Sequence, residues 1–136
     1  MKCIEVRSTR REQWIAITSQ VQAALSESGL RDGACLVFVP HTTAAVTINE
    51  NADPDVGDDL LMGLARLVPH NWPYQHSEGN SDAHLKSSLV GCSVMIPVQK
   101  GRLQLGTWQG VYFGEFDGPR HRQCIIQFLQ ETGSSG

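Results

Sequence analysis

No stretch of about 18 consecutive apolar residues occurs in this 136-residue chain, so no segment is suited to crossing a bilayer as a helix. The opening Met-Lys-Cys-Ile-Glu-Val-Arg lacks the apolar block of a secretory leader, and the expectation is a cytoplasmic protein without a membrane partner. Basic residues are few and scattered. Lys and Arg number 11 against 14 Asp and Glu, a formal charge of −3, and no basic run is longer than Arg10-Arg11. Holding a phosphate backbone by counterion release needs a denser basic patch, so nucleic acid is not expected as a partner. Cysteine is equally sparse: Cys3, Cys35, Cys92 and Cys124 form neither a C-x-x-C zinc pattern nor a disulfide framework. Each sits in an apolar, strand-like stretch and is expected to be a reduced core residue. Walker, G-x-G-x-x-G, G-x-S-x-G and H-E-x-x-H motifs are absent, which removes the common nucleotide, serine-hydrolase and metalloprotease readings.

What is present is a core-forming pattern. With 40% hydrophobic residues the chain can bury one core, whereas two units of half its length would each be marginal. One domain over residues 1–130 is expected, followed by a small polar tail, 131–136. Ile4 and Val6 alternate with Glu5 and Arg7 as in a strand with one wet face. Thr9-Arg-Arg-Glu12 has capping-box spacing, and Trp14, Ile17, Val21 and Leu25 recur at helical intervals up to Gly29, so a helix is predicted there. Ala34 to Val39 and Thr43 to Ile48 read as strands flanking Pro40-His41-Thr42. Asp53-Pro54 opens a second helix with Leu60, Leu61, Leu64 and Leu67 on its stripe, ending before Pro69. Residues 69–83 show no periodicity and read as a long loop. From Gly91 onward three strands with hairpin-length turns suggest a closing antiparallel meander. The fold class that follows is α+β, with a mostly antiparallel sheet and two main helices.

Reactive side chains gather between His41 and His84. His76-Ser-Glu78-Gly-Asn80-Ser-Asp82-Ala-His84 places two imidazoles, two carboxylates and an amide in nine residues, a ligand chemistry that a divalent metal accepts. His41, held after Pro40 at a strand end, is the candidate third nitrogen. The alternative is that these are solvated loop histidines. Asp58 and Asp59 lie in the first turns of a helix, where carboxylates favour the dipole whatever the function. Glu78 and Asp82 have no evident helical task and are the candidate catalytic carboxylates, one orienting a ligand, the other acting as general base. Gly106-Thr-Trp108-Gln109-Gly110 puts Trp108 between glycines, either as a stacking plate or as a core or interface residue. Arg120 is the basic group suited to clamping a phosphate. Asn51, Asn80 and Gln109 are further candidate substrate contacts.

His41-Thr-Thr-Ala-Ala, Asn49-Glu-Asn-Ala-Asp53, the His76 to His84 segment, Gly106-Thr-Trp-Gln-Gly110 and Phe116-Asp-Gly-Pro119-Arg120 together closely resemble the YjbQ family of small uncharacterised proteins, from about Ile4 to Phe128. The resemblance implies an α+β domain assembled as a homotrimer. It also implies a metal-binding cavity built on the histidine-bearing motifs, hence His41, His76 and His84 as ligands of zinc or magnesium. The activity it implies is a weak thiamine-phosphate synthase reaction, joining a pyrimidine diphosphate to a thiazole phosphate with loss of pyrophosphate. Such a reaction needs a divalent cation, positive groups such as Arg120 and Lys86, and a flat surface such as Trp108. A metal-dependent hydrolase of a small phosphorylated metabolite and a non-catalytic ligand-binding trimer remain alternatives.

Overall fold

The computed structural model describes residues 1–132; the end of the expected tail, 133–136, lies outside the described residues. Eight strands and three helices follow one another as β1 (Lys2–Arg7), β2 (Gln13–Ala16), α1 (Thr18–Ser28), β3 (Gly33–Phe38), β4 (Ala44–Glu50), α2 (Pro54–Leu67), α3 (Ser81–Val90), β5 (Ser93–Gln99), β6 (Arg102–Leu103), β7 (Gln109–Glu115) and β8 (His121–Gln130). The class is α+β, as expected. Every strand pair is antiparallel, in a five-stranded sheet ordered β1-β8-β3-β5-β6 and a three-stranded sheet ordered β2-β7-β4. The closing strands are therefore not one meander. The β5–β6 hairpin stays in the large sheet, the chain crosses to the small sheet as β7, and β8 returns between β1 and β3.

Period-two alternation explains the main core. Cys35, Val37, Ile96, Cys124 and Ile126 point from the large sheet toward Val46, Val111 and Phe113 of the small one, and Ile17, Val21 and Leu25 from α1 complete the cluster. A second cluster on the far side of the small sheet joins Ala45 and Phe116 to Ala83 of α3, with Trp14, Leu61, Leu64 and Val90 packed against it. Burial pushes the Cys35 thiol up to about 11 and the Cys124 thiol up to about 12. Cys3 and Cys92, by contrast, are exposed, so only half of the cysteines are core residues.

The first helix begins later than its capping-box spacing predicts. Gln13–Ala16 is a strand paired with β7, and α1 starts at Thr18 without a side-chain cap. Gln13 Oε1 accepts from Thr9 N at 2.9 Å, while Glu12 is drawn away to Lys86, so neither partner of the box is free to close it. Gly29 ends the helix in the left-handed conformation, φ 75°, as predicted. Asp53 caps α2 by accepting from Asp55 N at 3.0 Å. The third helix is the element the periodicity does not reveal. Its buried face is Asp82, Ala83, Lys86 and Ser87, which has helical spacing but little apolar character.

Phe113 is fully buried at the centre of the main cluster. Phe113→Ala is expected to cost about 3–5 kcal/mol, read as a lowered urea midpoint with an unchanged slope.

Candidate functional site

Pro40 ends the pairing of β3 with β8, which leaves the Gln123 amide without a strand partner on that side. His41 fills the gap: its Nε2 accepts from Gln123 N at 2.9 Å. An acceptor nitrogen carries no proton, so this hydrogen bond requires a neutral ring with its proton on Nδ1. Burial and the Arg122 charge both lower the His41 pKa from 6.5, outweighing the opposing pull of Glu115.

Behind His41 lies a buried ion pair. Glu115, at the end of β7, is fully buried and accepts from Arg122 Nε of β8 at 2.9 Å, from Ser8 Oγ at 2.7 Å and from Asp117 N at 3.1 Å. Arg122 also donates to Thr43 Oγ1 at 2.8 Å. Burial alone would raise the Glu115 pKa; the donors around it, Arg122 first, hold it below the usual carboxylate range.

A second buried network takes two of the expected site residues out of contact with solvent. Asp82 is fully buried and accepts from Arg11 Nη2 at 3.0 Å and from Lys86 Nζ at 3.1 Å, with His70 Nδ1 at 3.0 Å. Lys86, only 1% exposed, also donates to Glu12 at 2.6 Å. Burial would raise the Asp82 pKa, yet the bonds from His70, Arg11 and Lys86 and the Arg11 charge drive it far below its usual range. Asp82 is thus no free base and Lys86 no free phosphate anchor. Together they fasten α3 to the segment between β1 and β2.

His76 and His84 do come together. Their ring centroids are 5.5 Å apart at 89°, edge to face, and both border a cavity of about 400 Å³ with Tyr74 and Ser81. Neither ring hydrogen-bonds to protein among the described residues, and Glu78 Oε2 lies 3.6 Å from His76 Nε2, largely in solvent. His84 also faces a neighbouring cavity of about 460 Å³ that contains His41, Ser87 and Cys92. His41 keeps its bond to Gln123 and does not join the pair. Among the described residues no three His, Cys, Asp or Glu side chains converge closely enough to enclose a metal ion. One chain brings together two imidazoles, with a carboxylate 3.6 Å from one of them.

The other candidates divide between two places. Asn80 donates to Asp117 Oδ2 at 2.8 Å, while its own Oδ1 is buried without a partner; Arg120 donates to the same carboxylate at 3.0 Å and stays about half exposed. Trp108 stands 65% exposed beyond the other end of β7, so it is not a core residue. Its carbonyl accepts from Asn51 N at 2.7 Å, and Gln109 Oε1 accepts from Gly106 N at 2.7 Å, closing the turn. β4 runs seven residues from the His41 end to the Asn51 end, roughly 20 Å of strand. Asn51, Trp108 and Gln109 therefore do not share a cavity with the histidines of their own chain.

The family model for UPF0047 protein YjbQ-like proteins matches residues 2–131. The chain belongs to the YjbQ/UPF0047 family. A UPF0047 protein of Methanocaldococcus jannaschii is 50% identical over 125 residues, covering 92% of this chain and 91% of that one. YugU, a UPF0047 protein of Bacillus subtilis, is 50% identical over 132 residues, covering 95% and 98%. An uncharacterised family member from Clostridium acetobutylicum has a solved structure with a TM-score of 0.93 at 49% identity, covering 95% of this chain and all of that one. A Sulfolobus solfataricus protein described as of unknown function superposes with a TM-score of 0.92 at 33% identity, covering 96% of each chain. Family membership thus fixes the fold across the whole match and leaves the chemistry to be argued from the residues.

Two expectations follow. Arg122→Met leaves the Glu115 carboxylate buried and unpaired, and a loss of about 3–5 kcal/mol is expected in urea unfolding. Much of it should return in the double variant Glu115→Leu/Arg122→Met. For His41, the folded pKa is depressed, so its contribution is present above pH 6.5 and is lost as pH falls from 6.5 through the folded value. The wild-type unfolding midpoint should therefore fall more steeply than that of His41→Gln as the pH is lowered from 6.5 to about 5, above the range in which carboxylates take up protons.

Proposed function

We propose that this protein binds a divalent cation, zinc or magnesium, through His76 and His84 and acts there on a small phosphorylated substrate. The observation that carries the reading is the imidazole pair itself. Where His41 and His70 each engage a ring nitrogen, with the Gln123 amide and the Asp82 carboxylate, the rings of His76 and His84 make no hydrogen bond to protein among the described residues and border a cavity. Two imidazoles and an adjacent carboxylate are donors such cations accept. Bound there, the cation would supply positive charge to a diphosphate leaving group or to a phosphate.

The remaining donors are assigned to a second copy, in the homotrimer that the family resemblance implies. The outer face of the large sheet supports this, because Phe38, Met95 and Leu129 are exposed there at 38%, 57% and 44%. The reaction proposed is transfer of the thiamine-phosphate synthase type. Arg120 keeps guanidinium hydrogens in solvent beyond its bonds to Asp117 and would meet a phosphate, and Trp108 would stack on a flat ring. Glu78 is the proton acceptor, since Asp82 is locked in its network. No helix of the described residues is long and apolar enough to cross a membrane, which supports placing the protein in the cytoplasm.

The test combines metal content with turnover. Purified wild type is expected to retain near-stoichiometric cation, and the His76→Ala/His84→Ala variant to lose it while staying folded. Equal metal in the two proteins would remove the site. Product that appears only with both the pyrimidine diphosphate and the thiazole phosphate supports transfer. Turnover of one phosphorylated substrate with water would replace transfer by hydrolysis, and binding without turnover would leave a ligand-binding protein.

A further inference from the structure

A second cavity, of about 280 Å³, lies between α2 and the outward face of the small sheet, away from the histidines. Its floor is set by alternation along β7. Gly110, Tyr112 and Gly114 point the same way. A Cβ on Gly114 would fall 2.6 Å from Cζ3 of Trp14, and one on Gly110 would fall 2.5 Å from Oδ1 of Asn51. The two glycines thus let an indole and an amide lie flat on the strand, on either side of Tyr112. The Tyr112 hydroxyl donates to Asn51 Oδ1 at 3.0 Å and thereby leaves the Asn51 NH₂ group free to donate elsewhere.

Two charged side chains bordering this cavity, Arg10 and Asp58, are exposed to solvent and have no protein partner among the described residues. The Trp14 indole N–H is buried with no acceptor. Arg10 makes no ion pair, and Asp58 accepts no hydrogen bond. Glu50 and Asp53, by contrast, are occupied by the backbone N–H groups of Ala52 and Asp55. Val56, Leu60 and Leu61 supply an apolar wall. A simple anion would face the carboxylates of Glu50, Asp53 and Asp58, and a simple cation would face Arg10. A molecule carrying both charges on an apolar body suits Arg10 and Asp58 at once.

We infer that this cavity binds a zwitterionic α-amino acid with an aliphatic side chain. Its carboxylate meets Arg10 and the Asn51 NH₂ group, its ammonium meets Asp58, and its side chain lies against Leu60 and Leu61. The volume admits such a molecule. The inference is independent of the cation reading, since the two cavities have no lining residue in common.

The test follows the indole N–H resonances of the full-length protein by NMR. Trp72→Phe and Trp108→Phe, both at exposed positions, assign the Trp14 signal by elimination. L-Leucine is expected to shift the Trp14 signal saturably and leave the other two in place. N-acetyl-L-leucine, without the ammonium, and isopentylamine, without the carboxylate, should each bind about tenfold more weakly or worse. Arg10→Gln and Asp58→Asn should each weaken leucine binding about tenfold. An unmoved Trp14 signal at millimolar leucine overturns the inference. So do equal affinities for the three compounds, or unchanged leucine affinity in both variants.

Discussion

The Glu115–Arg122 pair is the contact on which the relation between the two sheets depends. One partner ends a strand of the small sheet and the other begins β8, an interior strand of the large one, and Ser8 and Thr43 bring in the end of β1 and the start of β4. Four chain segments meet at one buried carboxylate and one buried guanidinium. The net worth of such a pair against an apolar replacement is small, because desolvation offsets most of the attraction. Its contribution is to orientation. Apolar side chains tolerate many packings of one sheet on another, whereas a bidentate guanidinium–carboxylate contact is satisfied in few. His41 rests against this corner, where burial first and the Arg122 charge second favour its neutral ring.

Legibility in the sequence followed burial chemistry. Elements whose buried face is apolar could be read directly: the alternation in β1, the apolar run of β3, the β-branched residues of β4, the leucine stripe of α2 with its Asp53-Pro54 start, and the Gly29 stop of α1. α3 could not be read, because it buries Asp82, Lys86 and Ser87, and a search for apolar periodicity passes over a polar buried face. The start of α1 was misread for a related reason. Trp14 and Ile17 lie three apart, which suits a helix, but the pairing of residues 13–16 with β7 overrides so short a local signal. The crossing of β7 to the second sheet depends on long-range packing that no local pattern contains.

The same logic sorts the polar cluster between His41 and His84. A sequence reports that carboxylates and imidazoles are near one another along the chain, and it is silent on which are already paired. Folding assigns Asp82 and Lys86 to each other and to Arg11 and Glu12, and it assigns His41 to a strand amide. Within the histidine-bearing segment, His76, Glu78 and His84 are left without a hydrogen bond to protein among the described residues. Residue spacing assigns Trp14 to a helix stripe and Asp58 to a helix dipole; the trace of the second cavity is the Gly110-x-Tyr112-x-Gly114 alternation, which in isolation also fits a bulged strand.

The separation of the two motif groups constrains the chemistry. The histidine end and the Trp108 end of β4 and β7 are about 20 Å apart along the strands. A transfer reaction that needs charge at one and a stacking plate at the other has to draw them from different copies of the chain. Hydrolysis needs the histidine end alone, with a second copy only to complete the donors of the proposed cation. Both reactions would then depend on the proposed assembly, and only transfer would depend also on Trp108. Trp108→Ala would weaken transfer and spare hydrolysis, because only transfer needs a flat surface for a ring.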